Sequence, residues 1–464
     1  MFKSTDYPQT LADETTPLLI HRNDISNSNS HSKNDDVIQP VSEINDRRGS
    51  SKTRDIVTYV AIVFLFCLLA LVVVALSIAM AYNTNGVVTS SLEREWPYLL
   101  VDGHNDLAWS YRKWANNSVY TVDLKSVIWN TTEAHTDIPR LRKGQLGAQF
   151  WACYVVCKSS YKDSVLLSLE QLDVIKKFVT RYSDTFEWVT TSKGIMDAFK
   201  AGKIGSLVGL EGGHSIDSSF GALRMFYDLG IRYMTVTHSC NTPWADNWQV
   251  DAADFNVTVM GKPVGGLTEF GKKVILEMNR IGMLVDLSHA AKSTMISTLE
   301  IARAPVIFSH SSAFSICNHF RNVQDDVLKL VKLNGGLVMV NFYDRYITCF
   351  PSNETIATLS QVADHIEHIK NLIGVYHVGI GADYDGVPTH PVGLEDVSTY
   401  PMLFAELVRR GWNEVDLQKL AGRNLIRVFR QAEKVKAEMA HLPPQESHLP
   451  FDTAYPSETC HTRQ

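Results

Sequence analysis

The 464-residue sequence predicts an α/β protein, a TIM-type (β/α)8 barrel over residues 97–440 preceded by a single transmembrane helix over 55–82. Three observations predict this. Eight short apolar runs recur from Tyr98 onward, and amphipathic stretches with apolar residues at helical spacing lie between them. Ahead of both stands a long run without a single charge.

Residues 1–54 are rich in Ser, Asn, Asp and Thr, with little apolar periodicity, and read as a disordered cytosolic tail. From Ile56 to Tyr82 runs "IVTYVAIVFLFCLLALVVVALSIAMAY", longer than the ~20 residues that span a bilayer. A cleaved signal peptide would begin nearer the amino terminus and have an apolar core of only ~7–15 residues, so the run reads as an uncleaved signal anchor. Arg47, Arg48, Lys52 and Arg54 precede it, and the next basic residue after it is Arg94. Positive charge stays cytosolic, so this is a single-pass type II topology with the bulk of the chain extracellular or lumenal. Sequons at Asn116, Asn130, Asn256 and Asn353 all follow the span and are expected glycosylation sites. The tail segment "DETTPLLI" resembles an acidic dileucine sorting signal, which leaves plasma and endolysosomal membranes both open. Residues 83–96 read as a juxtamembrane stalk.

The strand candidates are "YLLVDGHND", "AQFWACYVV", "IGSLVGLEGG", "RYMTVTHS", "GMLVDLSH", "APVIFSHSS", "GGLVMVNFY" and "HVGIGADYDG". Helical patterns between them include "SLEQLDVIKKFVTRY", "TEFGKKVILEMNRIG" and "LSQVADHIEHIKNLIG". Strands that read as continuous apolar runs belong to a parallel sheet buried on both faces. A closed barrel suits the length of this region, and a doubly wound open sheet is the alternative. Composition is ordinary for a globular protein, with 45% hydrophobic and 20% charged residues. A net charge of -6, with no basic stripe interleaved with aromatics, gives no sign of nucleic-acid binding. The 7 cysteines include no Cys-x-x-Cys.

Nearly every strand candidate ends in a side chain able to bind metal or move a proton. The residues are His104 and Asp106, then Glu211, His238, His289, His310 and Asp383. A lone His-x-Asp decides little, but in a parallel barrel all carboxyl ends of the strands open on one face. Imidazoles and carboxylates together suit zinc, and there are too many for one ion. Two ions ~3.5–4 Å apart need a bridging carboxylate and a bridging water. A donor to the substrate carbonyl and a proton-carrying carboxylate then remain to be supplied by groups off the metal.

At this point the chain resembles the renal or membrane dipeptidases, over roughly Pro97 to Glu433. The resemblance is carried by "VDGHNDL", "GLEGGHSIDSS", "RYMTVTHSCNTPWADNW", "VDLSHA", "APVIFSHSSAFSICNHFRNV" and "GADYDGVP". It implies a binuclear-zinc barrel of the metal-dependent hydrolase kind, with two Zn2+ per subunit. His104 and Asp106 would bind the first zinc, His289 and His310 the second, and Glu211 would bridge them. The resemblance makes His238 the group that polarises the scissile carbonyl and Asp383 the relay from bridging water to leaving amine. Arg321, in "HFRNV", matches the residue that grips the substrate's terminal carboxylate.

The resemblance also pairs Cys157 with Cys240 and Cys317 with Cys349. It makes Cys460 an interchain cysteine linking a homodimer. Cys67 falls within the span, and Cys153 reads as a buried free thiol. Residues 441–464 form a tail whose end, "TAYPSETCHTRQ", has no hydrophobic stretch, so the lipid-anchor signal of mammalian members is missing here. The expected function is a membrane-anchored zinc dipeptidase that cleaves dipeptides by attack of a zinc-bridging hydroxide. The alternatives are a binuclear zinc amidohydrolase acting on another small amide or lactam, and a catalytically retired receptor on the same fold.

Overall fold

The computed structural model describes residues 98–126, 134–252, 262–349 and 356–454. The predicted tail, span and stalk lie outside the described residues, as do Cys67, Cys460, Asn130, Asn256 and Asn353. Among the described residues no helix is long and apolar enough to cross a membrane.

All eight predicted strands form. They are β1 (Leu100–Asn105), β2 (Leu146–Tyr154), β4 (Ile204–Glu211), β5 (Ile231–Thr235), β6 (Leu284–Asp286), β7 (Ile307–Phe308), β8 (Leu337–Val340) and β9 (Val378–Ile380). Each pairs in parallel with its neighbours in the order β2-β1-β9-β8-β7-β6-β5-β4, and a β2–β4 ladder closes the ring. The closure excludes the open doubly wound sheet. β3 (Phe186–Trp188), which the sequence pattern did not reveal, pairs with Ile204–Ser206 at the start of β4.

Burial follows the alternation that strand geometry imposes. Ala148 and Phe150 of β2, Leu207 of β4, Tyr233 of β5 and Leu337 and Met339 of β8 share one buried cluster. It continues into Leu425 and Phe429 of the helix Asn424–Met439, which therefore packs against this inner layer. The alternate residues, such as Trp151, Val208, Met234 and Val338, pack in a separate, larger cluster with the surrounding helices. Both faces are apolar, hence the unbroken runs read in the sequence. The helices carry their own stop and start signals. Thr358 and Gln361 form a capping box at Leu359–Ile373, and Glu269–Ile281 runs from an N-cap at Thr268 to the left-handed Gly282.

One glycine links packing to chemistry. A Cβ on Gly209 would lie 1.9 Å from the Tyr233 ring, so β4 must be bare there for the tyrosine to enter the inner layer. The phenol then reaches His104, 2.8 Å from Nδ1.

Candidate metal centre

The five predicted ligands come from four different strand ends, and the barrel brings them together. Oε1 of Glu211, at the end of β4, is the common point. The Nε2 atoms of His104, His289, His310 and His238 lie 3.5, 3.3, 3.5 and 3.7 Å from it. His104 Nε2 is also 3.2 Å from Asp106 Oδ2 and 3.9 Å from Asp383 Oδ1. His289 and His310 bring their Nε2 atoms within 2.9 Å of each other. Arg321 and Asp383 line the same cleft, whose volume is about 270 Å³, with Trp109, Tyr154 and Tyr346 as its aromatic walls. A larger cavity of about 490 Å³ beside helix Asn424–Met439 holds charges of both signs, among them Arg280, Arg303 and Glu438, and none of the predicted ligands.

Backbone geometry sets the aim of two of these side chains. β6 ends at Asp286 and β9 at Ile380, yet His289 and Asp383 stand three residues further on. Both are left-handed, with φ of 64° and 69°. Non-glycine residues held there cost free energy and concentrate at functional sites. At His289 the turn is held through its carbonyl, which accepts the Trp248 N–H at 2.7 Å and the Thr237 hydroxyl at 3.1 Å.

The donor set fits a metal. His104 Nε2 is fully buried and has no hydrogen-bond partner, although carboxylate oxygens surround it. A buried polar atom left in that state is costly unless a cation completes it. Burial, helped by the Arg321 charge, pushes the His289 imidazole well below its usual pKa, and burial does the same to His310. Burial also lowers His238 to about 4. These rings are therefore neutral, so each has one nitrogen with a lone pair and one with a proton. Among the described residues three triads of ligand atoms emerge in this cleft, His104–Asp106–Glu211, Glu211–His289–His310 and His104–His310–Asp383, with Glu211 common to the first two. Burial pushes the Asp383 carboxyl up to about 8, whereas positive charge beside it, as from His104 and Arg321, favours the ionised form, and a bound cation would do so further.

Each imidazole is oriented from behind, as metal-binding histidines generally are. His104 Nδ1 meets the Tyr233 hydroxyl, and His310 Nδ1 meets the Ser309 hydroxyl at 2.7 Å. Ser309 Oγ in turn donates to Asp286 Oδ2 at 2.6 Å. Asp286 also accepts from the Thr235 hydroxyl and from the Ser288 and Ser309 N–H groups. Asp102 does the same for β1, accepting the N–H groups of His104 and Ala382 and the Tyr400 hydroxyl.

Arg321 is only 1% exposed, its guanidinium donating to Ser311 Oγ at 3.3 Å and to the His310 carbonyl at 3.2 Å. Two disulfides form, Cys157–Cys240 and Cys317–Cys349, and Cys153 is a buried free thiol. Cys157 Sγ lies 3.6 Å from His238 Nδ1, so the first bridge abuts the site. Asn116 is exposed, as a glycan acceptor must be, and caps the helix Leu107–Ala115 in a left-handed turn.

Residues 91–442 match the membrane dipeptidase family, peptidase family M19. The chain belongs to that family. It is 45% identical over 372 residues to dipeptidase 3 of Rattus norvegicus, covering 80% of this chain and 72% of that protein. Against dipeptidase 3 of Homo sapiens the identity is 44%, with the same 80% and 72% covered. Among solved structures, a metallopeptidase from Rhodobacter sphaeroides carrying a phosphinate mimic of the dipeptide L-Ala-D-Ala shares the fold. Its TM-score is 0.64 at 23% identity, covering 72% of this chain and 99% of that one.

In this membrane dipeptidase family member, sequence reasoning passed over the supporting residues Tyr233, Asp286, Ser309 and Asp102. A signal existed for two of them. "VDGH" and "VDLSH" both put Val-Asp within a strand just ahead of a predicted ligand histidine, and both aspartates tie their strand to a neighbouring one.

Proposed function

We propose that the chain is a dipeptidase whose two zinc ions are held by His104 and Asp106 on one side and His289 and His310 on the other, sharing Glu211. The observation that carries this reading is the convergence of four imidazole nitrogens on Glu211 Oε1 in the same cleft as the buried Arg321. When bound, the ions supply a water nucleophile at neutral pH and Lewis acidity toward the peptide carbonyl.

The chain's own residues do the rest. His238, with its proton on Nε2, donates to the carbonyl oxygen as negative charge grows there. Asp383 takes the proton from the attacking water and passes it to the leaving amine, which must be protonated before the C–N bond breaks. Arg321 offers paired N–H donors to a terminal carboxylate. Fixed in the cleft, it sets one residue beyond the scissile bond as the allowed length. A longer peptide has no free carboxylate there.

Placement on a membrane follows from the charge asymmetry around residues 55–82 and from sequons confined to the far side. We assign a type II topology with residues 97–440 extracellular or lumenal, glycosylation at the four sequons, and a homodimer linked through Cys460. The test is metal analysis of the full-length chain in detergent, together with a dipeptide panel that includes C-terminal amides. Two zinc per chain and hydrolysis of dipeptides but not of their amides are expected. Equal cleavage of the amides would remove the role given to Arg321 and leave a general amidohydrolase.

A further inference from the structure

The loops carrying Asp106 and Asp383 are joined through a third segment. Asp383 and Asp385 are both left-handed, at φ 69° and 64°, so the turn after β9 needs an outside support. The segment Ala134–Asp137 supplies it. Asp385 Oδ1 accepts the His135 N–H at 3.0 Å, while the Asp385 N–H donates to His135 Nδ1 at 3.1 Å. This reciprocal pair requires the His135 proton on Nε2. The next residue, Thr136, accepts from Asn105 Nδ2 at 2.8 Å. Asn105 immediately precedes Asp106, and its own Oδ1 accepts the Leu107 N–H. The His135 carbonyl accepts the Val397 N–H, and Asp137 caps the helix Ile138–Lys143, so the segment is itself anchored.

The two loops also meet directly, the Asp106 N–H donating to the Tyr384 carbonyl at 2.9 Å. Their carboxylates are packed closely. A Cβ on Gly386 would lie 2.3 Å from Asp106 Oδ2 and 2.5 Å from Asp383 Oδ1. No slack remains in such an arrangement, and a small shift of either loop changes both side chains at once.

We propose that His135 is a positioning residue, whose reciprocal bonds with Asp385 hold the β9 turn so that Asp106 and Asp383 keep their places. The proposal rests on the roles given above to those two aspartates. The decisive contrast is between two substitutions that differ in where they put an acceptor. In His135→Asn, Oδ1 can stand where Nδ1 stood and accept the Asp385 N–H. In His135→Gln the amide reaches toward the Nε2 position, and in His135→Ala there is no acceptor.

The test uses the full-length enzyme with two readouts, steady-state kinetics on one dipeptide and zinc affinity by competition with a chelator. His135→Ala and His135→Gln should lower kcat about 10–100-fold with KM within about threefold, and weaken zinc about tenfold. His135→Asn should stay within about threefold of wild type in both. An asparagine variant as impaired as the glutamine variant, or an alanine variant with unchanged kcat and affinity, would overturn the proposal. So would a change confined to KM. Where His135→Ala fails to fold, the asparagine–glutamine contrast decides by itself. A wild-type chain that binds zinc yet cleaves no dipeptide would instead refute the dipeptidase reading, and the affinity comparison would still judge His135.

Discussion

The Nε2 atoms of His289 and His310 lie 2.9 Å apart, and both face Oε1 of Glu211. Both rings are neutral, and each turns its other nitrogen toward a hydroxyl, Ser239 or Ser309. Ser309 gives its proton to Asp286, so His310 carries its hydrogen on Nδ1 and turns the Nε2 lone pair inward. On the proposed two-zinc reading, replacing His310 by Ala should remove one ion, leave the ion at His104 and Asp106 bound, and lower activity at least about 100-fold. Atomic absorption on the dialysed variant checks this. Retention of two ions per chain would show that His310 is not a ligand. Chelating both ions should also lower thermal stability, since an ion bound at 1,000 times its Kd adds about 4 kcal/mol.

Asp383 separates proton transfer from metal binding. Its Oδ1 is 3.9 Å from His104 Nε2, farther than the Asp106 and Glu211 oxygens. Asp383→Asn keeps the shape but cannot accept a proton, so zinc content should stay at the wild-type value while kcat falls about 10²–10⁴-fold. Loss of an ion in this variant would make Asp383 a ligand instead of a relay.

Most of this site could be read before the structure, and the reason is physical. Strands buried on both faces have to be apolar throughout, so the polar residues that end them stand out, as Glu211 does after "IGSLVGL". β3 did not stand out because Phe186–Glu187–Trp188 is interrupted by a charge and follows the polar Ser183, Asp184 and Thr185, so no apolar run marks it as one marks the equally short β6 and β9. The supporting contacts were invisible for another reason. Tyr233 reaches His104 across 129 positions of sequence only because Gly209 leaves room for its ring. Asp385 meets His135 across 250 positions. Neither contact is encoded in local pattern, and only barrel closure creates it. The left-handed turns at His289 and Asp383 were equally hidden, since neither residue type demands that conformation.

The proposed function gives Arg321 two jobs that can be separated. One is to meet the substrate carboxylate, the other to brace Ser311 and the His310 carbonyl. Arg321→Lys keeps a charge but loses the planar fork, which matters for bidentate pairing. For a dipeptide it should lower kcat/KM about 10–100-fold, mainly through KM. For the C-terminal amide of the same dipeptide, the wild type and the variant should be equally poor. If the variant lost activity on both substrates in proportion, the bracing role would account for everything and the carboxylate role would go.

Gly386 tests how tightly the two aspartates are held. Its backbone is not in the left-handed region, so alanine there brings no conformational strain of its own. The methyl group instead meets Asp106 Oδ2 at 2.3 Å and Asp383 Oδ1 at 2.5 Å. Gly386→Ala should therefore melt within a few degrees of wild type in the metal-free form, yet lose about 100-fold or more in kcat and bind zinc more weakly. A variant with normal kinetics would mean that both carboxylates can give way without cost.

Away from the site, Glu406 should shape the acid limb of stability. Hydrogen bonds from Arg409 and then Arg410 outweigh the effect of burial and bring its pKa down to about 2. Arg410 is the better-placed partner, since it also bridges Asp364 and Glu367 and its side chain is 14% exposed against 68% for Arg409. A carboxylate whose pKa is depressed on folding stabilises the native state above its unfolded pKa, near 4.5. That contribution fades as pH falls from there through about 2. Glu406→Gln should therefore cost about 1 kcal/mol at pH 7, a figure reduced for solvent screening of so open a network. The difference between wild type and variant should shrink steadily below about pH 4.5. Urea midpoints of the metal-free forms at pH 7 and pH 3 measure it. A difference that stayed constant between those two values would mean that the charge of Glu406 contributes nothing to folding.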